Sequence, residues 1–169
     1  SAEGSRGSIS AEAVRSACSI TFWDRSASVN AERIRDAAAG MKPWLVEVRR
    51  TLHMSPELGR SEEATATLVC RWLEGLGVAH RQSGTAVTGL VEGDRPGPTV
   101  ALRADIDALP IREENDVEYR SRNEGAMHAC GHDAHTAILL GVAMLLRDLE
   151  LPGQVRFLFQ PCEESGDKE

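Results

Sequence analysis

From Asn30 onward the apolar residues recur first at helix spacing, then at strand spacing, then at helix spacing again. Asn30 suits a helix cap, and the helix it opens contains Ile34 and is expected to break around Gly40. Pro43 suits the first turn of a second helix, where its missing N–H costs nothing, with Leu45, Val48 and Leu52 on the buried side. Ser61-Glu62-Glu63-Ala64 opens a further helix whose apolar face carries Leu68, Val69, Trp72, Leu73 and Leu76, and Gly77 ends it. The period then shortens. Val87–Glu92 and Thr99–Ala104 predict strands, joined by the turn-rich stretch Gly93–Pro98. An aperiodic, charged loop follows from Pro110 to Cys130, then a helix over Ala134–Leu149 and a strand over Val155–Gln160. Helices alternating with apolar strands predict an α/β layered domain. In such sheets, sites are built where strands end.

Composition narrows the picture without changing it. The chain has 169 residues, 41% hydrophobic and 27% charged, enough for one domain with a real core. A net charge of −7 argues against a nucleic-acid partner. No apolar run reaches the length of a membrane span, so no membrane association is expected. The cysteines Cys18, Cys70, Cys130 and Cys162 are irregularly spaced, which does not suit a disulfide framework. A cytoplasmic, reducing setting is expected, because a thiolate ligand must stay unoxidised. Residues 1–29 mix Ser, Ala and Arg with Glu3, Glu12 and Asp24, matching neither a secretory signal nor an acid-poor transit peptide. They read as a flexible N-terminal extension, with the domain over 30–169.

Three clusters with chemical potential fall at predicted element ends. In Arg103-Ala104-Asp105-Ile106-Asp107, the two acids share a face if the strand geometry persists. They read either as surface carboxylates or caps, or as support for metal ligands. The stretch His128-Ala129-Cys130-Gly131-His132-Asp133-Ala134-His135 places three histidines and a cysteine within eight residues. Thiolate with imidazole is the donor set of zinc and its first-row neighbours. Gly131 lets Cys130 and His132 face one ion, and the N-terminus of the next helix favours a thiolate. The spacing is not that of a zinc finger, and no Glu follows His128 as the zincin motif requires. In Gln160-Pro161-Cys162-Glu163-Glu164, adjacent acids read either as a solvated face or as a metal-binding carboxylate beside a proton acceptor.

Taken together, the stretches Arg49–Gly59, Ala101–Ile111, Met127–Ala137 and Phe159–Glu164 follow one another in a familiar order. Through them the chain resembles the amidohydrolases of the M20 metallopeptidase family, in the branch of hippurate hydrolases, N-acyl-amino-acid amidohydrolases and plant auxin-conjugate hydrolases. The resemblance implies a layered zinc-peptidase-like catalytic domain with a central mixed sheet flanked by helices. It implies hydrolysis of the amide bond of N-acyl amino acids by a pair of divalent ions, Zn²⁺ or Mn²⁺. Cys130, His132 and Glu164 then stand as metal ligands, with His132 bridging; Glu163 stands as the general base and Asp107 supports the metal site from behind. Asp105 falls where more distant relatives use a histidine ligand, while His53 and Glu57 match a family motif and read as structural. Family members are longer, with a lid or dimerisation domain and two further histidine ligands after the Glu-Glu motif. The chain is therefore expected to be the N-terminal part of the catalytic domain without the lid. Its partner would be a small N-acyl amino acid, and its parent a homodimer. A dipeptidase-type metallopeptidase and a catalytically inactive regulatory or dimer-forming remnant are the competing readings.

Overall fold

The computed structural model describes residues 30–165, so the extension expected over 1–29 lies outside the described residues. Asn30 caps the first helix, α1 (Ala31–Met54), its side chain accepting from Arg33 N–H at 2.9 Å. The break expected at Gly40 does not occur, and α1 runs unbroken through Pro43. Pro43 forfeits one intrahelical bond at about 3 kcal/mol. Against that stands a single stripe of Ala37, Met41, Trp44, Val48 and Leu52, all buried at three- and four-residue spacing. Each large member of such a stripe gains about 1.5–3 kcal/mol on burial, so the stripe outweighs the lost bond. Gly40 and Pro43 sit on the exposed side.

Helix α2 (Glu63–Gly75) buries Ala66, Val69, Trp72 and Leu73, and Gly77 closes it with φ 69°. The Val78 N–H returns to Leu73 O at 2.9 Å, which a left-handed residue at Gly77 makes possible. Strand β1 (Ala79–Ser83) has no counterpart in the hydrophobic pattern because all of its residues are exposed. It exists through pairing with β2 (Ala86–Glu92), across a two-residue turn that includes Gly84 at φ 58°. Then come β3 (Arg95–Asp105), α3 (His132–Leu146) and β4 (Pro152–Gln160).

The four strands form one mixed sheet in the order β1-β2-β4-β3. β4 is antiparallel to β2 and parallel to β3, with α3 as the crossover. Val87, Val91, Phe157 and Phe159 bury one face of the sheet among Val69, Leu73, Leu140 and Met144. Gly89 lies in that face, where a Cβ would already touch Phe157 and Leu73. Helix α1 packs on α3, and Gly141 allows the approach: a Cβ there would stand 2.7 Å from Leu45 Cδ2. This is the α/β layered domain, mixed sheet flanked by helices, that the pattern and the resemblance imply. No helix among the described residues is long and apolar enough to cross a membrane.

The topology decides where chemistry can happen. β3 and β4 run parallel and end side by side, Asp105 opposite Gln160, with Ile106 N–H donating to Gln160 O at 3.0 Å. Helix α3 begins at the same rim.

Candidate metal centre

All three clusters meet at that rim. His132 opens α3 and is 3% exposed; Gly131 before it adopts φ 88°, a left-handed conformation that turns the chain from the loop into the helix. His132 Nδ1 lies 2.9 Å from Asp107 O and 3.2 Å from Asp107 Oδ1. A carbonyl oxygen only accepts, so Nδ1 carries the proton and Nε2 holds the free lone pair. One lone pair serves one ion, so the expected bridging role does not suit His132 in this geometry. Its Nε2 faces Glu163 Oε2 and Glu164 Oε1, each at 3.8 Å. Cys130, His132 and Glu164 offer donor atoms that lie within 4.8 Å of one another.

Asp107 is the hinge of this arrangement. It is 1% exposed, and while one oxygen faces His132, Oδ2 accepts from Glu164 N–H at 2.9 Å. A single carboxylate thus orients the imidazole from α3 and the loop after β4. Asp105 points elsewhere: Arg103 Nε and Nη2 donate to its two oxygens at 2.8 and 3.1 Å. Asp105, His132 and His135 form a second group able to converge on a cation. That group shares His132 with the first, and Asp105 is already held by a guanidinium, so the Cys130 group is the stronger position.

The electrostatics of the Cys130 group call for a cation. Hydrogen bonding to Glu164 raises the Cys130 thiol above its usual range, and the nearby charges of Glu164, Glu163 and Asp105 push the same way. The expected help from the α3 N-terminus does not prevail over these acids. The neighbouring carboxylates therefore oppose ionisation of the thiol, and a divalent ion bound among these donors would offset them. The donor set fits such an ion.

Behind these donor groups lies a buried polar cluster. Asp133 Oδ2 forms an ion pair with Arg49 Nε at 2.6 Å and faces His53 Nδ1 at 2.7 Å, while His53 Nε2 faces Glu113 Oε1 at 3.1 Å. His53, read as structural, is thus one side chain from the metal loop. Glu113 went unnoticed because it sits in the aperiodic loop. Burial raises its carboxyl, but donation from Ser121 N–H, His53 and Asn115 overcomes this and holds it below the usual range. A carboxyl depressed on folding stabilises the fold above its unfolded pKa, and that contribution disappears as pH falls through the folded pKa. Glu113→Gln is therefore expected to lose about 2–3 kcal/mol at neutral pH. Urea unfolding at pH 6 and pH 3 should show this difference shrinking in acid. A difference that stays constant across those pH values would refute it.

His128 joins the same interior with both ring nitrogens buried and without a hydrogen-bond partner among the described residues. Burial holds it well below the ordinary histidine range, at about 4, so the ring stays neutral. It is not part of either converging donor group. A cavity of about 470 Å³ opens beside it, lined by Arg49, Tyr119 and Cys130 among others.

Comparison with known proteins shows which sequences and folds this chain is similar to. The family described as peptidase family M20/M25/M40 matches residues 101–169. Thermostable carboxypeptidase 2 of Saccharolobus solfataricus is 45% identical over 141 residues, covering 80% of this chain and 36% of that protein. The N-acyl-L-amino acid amidohydrolase of Geobacillus stearothermophilus is 46% identical over 137 residues, covering 79% of this chain and 37% of that protein. Among solved structures, the YXEP protein of Bacillus subtilis, a dinuclear metal-binding peptidase of the M20 family, superposes with TM-score 0.72 at 44% identity. That match covers 75% of this chain and 37% of the other. The chain spans little more than a third of the length of these curated relatives.

Proposed function

We propose that this chain, which belongs to peptidase family M20/M25/M40 in its amidohydrolase branch, supplies the metal-binding and proton-transfer residues of a hydrolase acting on N-acyl amino acids. The observation that carries the reading is the meeting of Cys130, His132 and Glu164 on one point, with the Glu163 carboxylate 3.8 Å from the same imidazole nitrogen. Cys130, His132 and Glu164 would hold the ion, with Asp107 fixing both His132 and Glu164 from behind. Divalent ions bound here, a pair of Zn²⁺ or Mn²⁺, supply Lewis acidity and ease the deprotonation of water. Glu163 takes the proton from the attacking water and delivers it to the leaving amine, so one carboxylate serves as base and then acid. The products are a carboxylic acid and a free amino acid.

The second ion would need donors beyond the three in this group. Similarity to an N-acyl-L-amino acid amidohydrolase supports the substrate class, and similarity to a thermostable carboxypeptidase supports peptides as the competing one. A reducing, cytoplasmic setting suits the exposed Cys130 thiol. Oligomeric state belongs to the same proposal, a homodimer being the arrangement the family resemblance favours.

Cobalt separates these ideas. Co²⁺ added to the chain is expected to give a thiolate charge-transfer band that Cys130→Ser removes and His132→Ala weakens. A band that survives Cys130→Ser would place the ion elsewhere. Comparing kcat/KM for N-acetyl amino acids against unblocked dipeptides then decides the substrate, and faster dipeptide cleavage would favour the peptidase reading.

A further inference from the structure

Glu62 occupies the N-cap position of α2, yet its side chain makes no cap bond. Glu57 does that work instead, accepting from Ala64 N–H at 3.1 Å, Thr65 N–H at 2.7 Å and Thr65 Oγ1 at 2.8 Å. Glu62 turns inward, is 0% exposed, and accepts from Cys162 N–H at 2.8 Å through Oε1. Its other oxygen is buried with no hydrogen-bond partner among the described residues. A carboxylate buried in this way is costly for the fold, so its position asks for a reason.

The reason lies in what Cys162 carries. Cys162 has φ 60°, a left-handed conformation unusual for a residue with a side chain, and it immediately precedes Glu163 and Glu164. Two hydrogen bonds hold this loop by its backbone: Cys162 N–H to Glu62, and Glu164 N–H to Asp107. The segment bearing Glu62 also braces Asp107's own end, since Ala108 N–H donates to Glu57 O at 2.8 Å and Leu58 bridges to Ala108. Gly59 completes the contact, because a Cβ there would collide with Ser165 Oγ and press Cys162 Sγ.

We infer that Glu62 is a positioning residue that fixes the turn at Cys162 and so aims the Glu164 carboxylate at the ion held by Cys130 and His132. The inference rests on the reading of Glu164 as a metal ligand. It assigns no chemistry to Glu62 itself, only the geometry of the loop.

The test is Co²⁺ titration of the 169-residue chain, followed by the Cys130 thiolate band, alongside thermal unfolding of the metal-free protein. Glu62→Leu removes the acceptor, and Glu62→Asp keeps the charge but withdraws its reach; both are expected to weaken Co²⁺ affinity about 10–100-fold. Should the Leu variant fail to fold, the Asp variant carries the test. Glu62→Gln, whose side-chain carbonyl can still accept from Cys162, should bind close to the wild-type value. In a Glu164→Ala background the effect of Glu62→Leu should vanish, because the two act on the ion through one loop. Wild-type affinity in both the Leu and Asp variants would overturn the inference. So would a Gln variant as weak as Leu, or a loss that persists undiminished without Glu164. A wild-type chain that gives no thiolate band would instead remove the metal-centre reading, and this inference with it.

Discussion

Glu163→Gln is expected to lower kcat by about 10²–10⁴-fold while metal binding stays close to the wild-type level. The substitution is nearly isosteric and changes one property, the capacity to take up a proton. Glu163 projects from the same loop as Glu164, but its side chain is 39% exposed and Glu164's is 23%. The more open carboxylate is the one that incoming water and substrate can reach. Two hydrogen bonds that hold the loop run through backbone N–H groups of Cys162 and Glu164, so the Gln side chain should not disturb it. Glu164→Gln is the contrasting variant, because it weakens a proposed ligand and should lower Co²⁺ affinity together with turnover. Steady-state rates on N-acetyl amino acids and Co²⁺ titration of both variants give the comparison. Retained turnover in Glu163→Gln would reassign the proton transfer.

Much of this site was readable in the sequence because its donors sit in short stretches. Cys130, His132, Glu163 and Glu164 announce themselves by unusual chemistry at element ends, and no knowledge of distant contacts is needed to notice them. The helix faces of α2 and α3 and the strands β2 and β4 were legible for a similar reason, since burial imposes a local period. By contrast, β3 is exposed over most of its length, and its start at Arg95 lies inside the stretch read as a turn. What escaped the pattern depends on distant partners. Glu62 meets Cys162 across 100 residues, and His53 meets Asp133 across 80 and Glu113 across 60. A polar residue bonded at that range leaves no periodic trace. Strand β1 is an exposed edge with no apolar alternation, and Pro43 reads locally as a helix start although the buried stripe of α1 continues through it. In each case tertiary contacts overrode the local signal.

Asp133→Ala should produce the largest loss of stability, about 3–5 kcal/mol, because it breaks a buried ion pair on one side only. The Asp133 side chain is 0% exposed and pairs with the Arg49 guanidinium at 2.6 Å, while its Oδ1 accepts from Ala134 N–H at 2.8 Å. Its loss is uneven in effect. Arg49 has a side chain 33% exposed and can turn towards water, whereas the His53 side chain is only 4% exposed and cannot. His53 would keep Glu113 on one nitrogen and, on the other, would lose its carboxylate and retain only the Arg49 guanidinium, whose Nη2 lies 3.1 Å from Nδ1. Asp133→Asn keeps the volume and one acceptor, so it should lose less than Asp133→Ala. Urea unfolding of the metal-free chain at neutral pH measures the difference, and a loss below about 1 kcal/mol in Asp133→Ala would reject the assignment, since that is the scale of an exposed pair. Asp133 directly follows His132, so relaxation of its anchor should also tilt the imidazole away from Asp107 and weaken Co²⁺ binding. Here the contrast with Glu163→Gln is sharp: one substitution should silence the chemistry in an intact fold, while the other should loosen fold and metal site together.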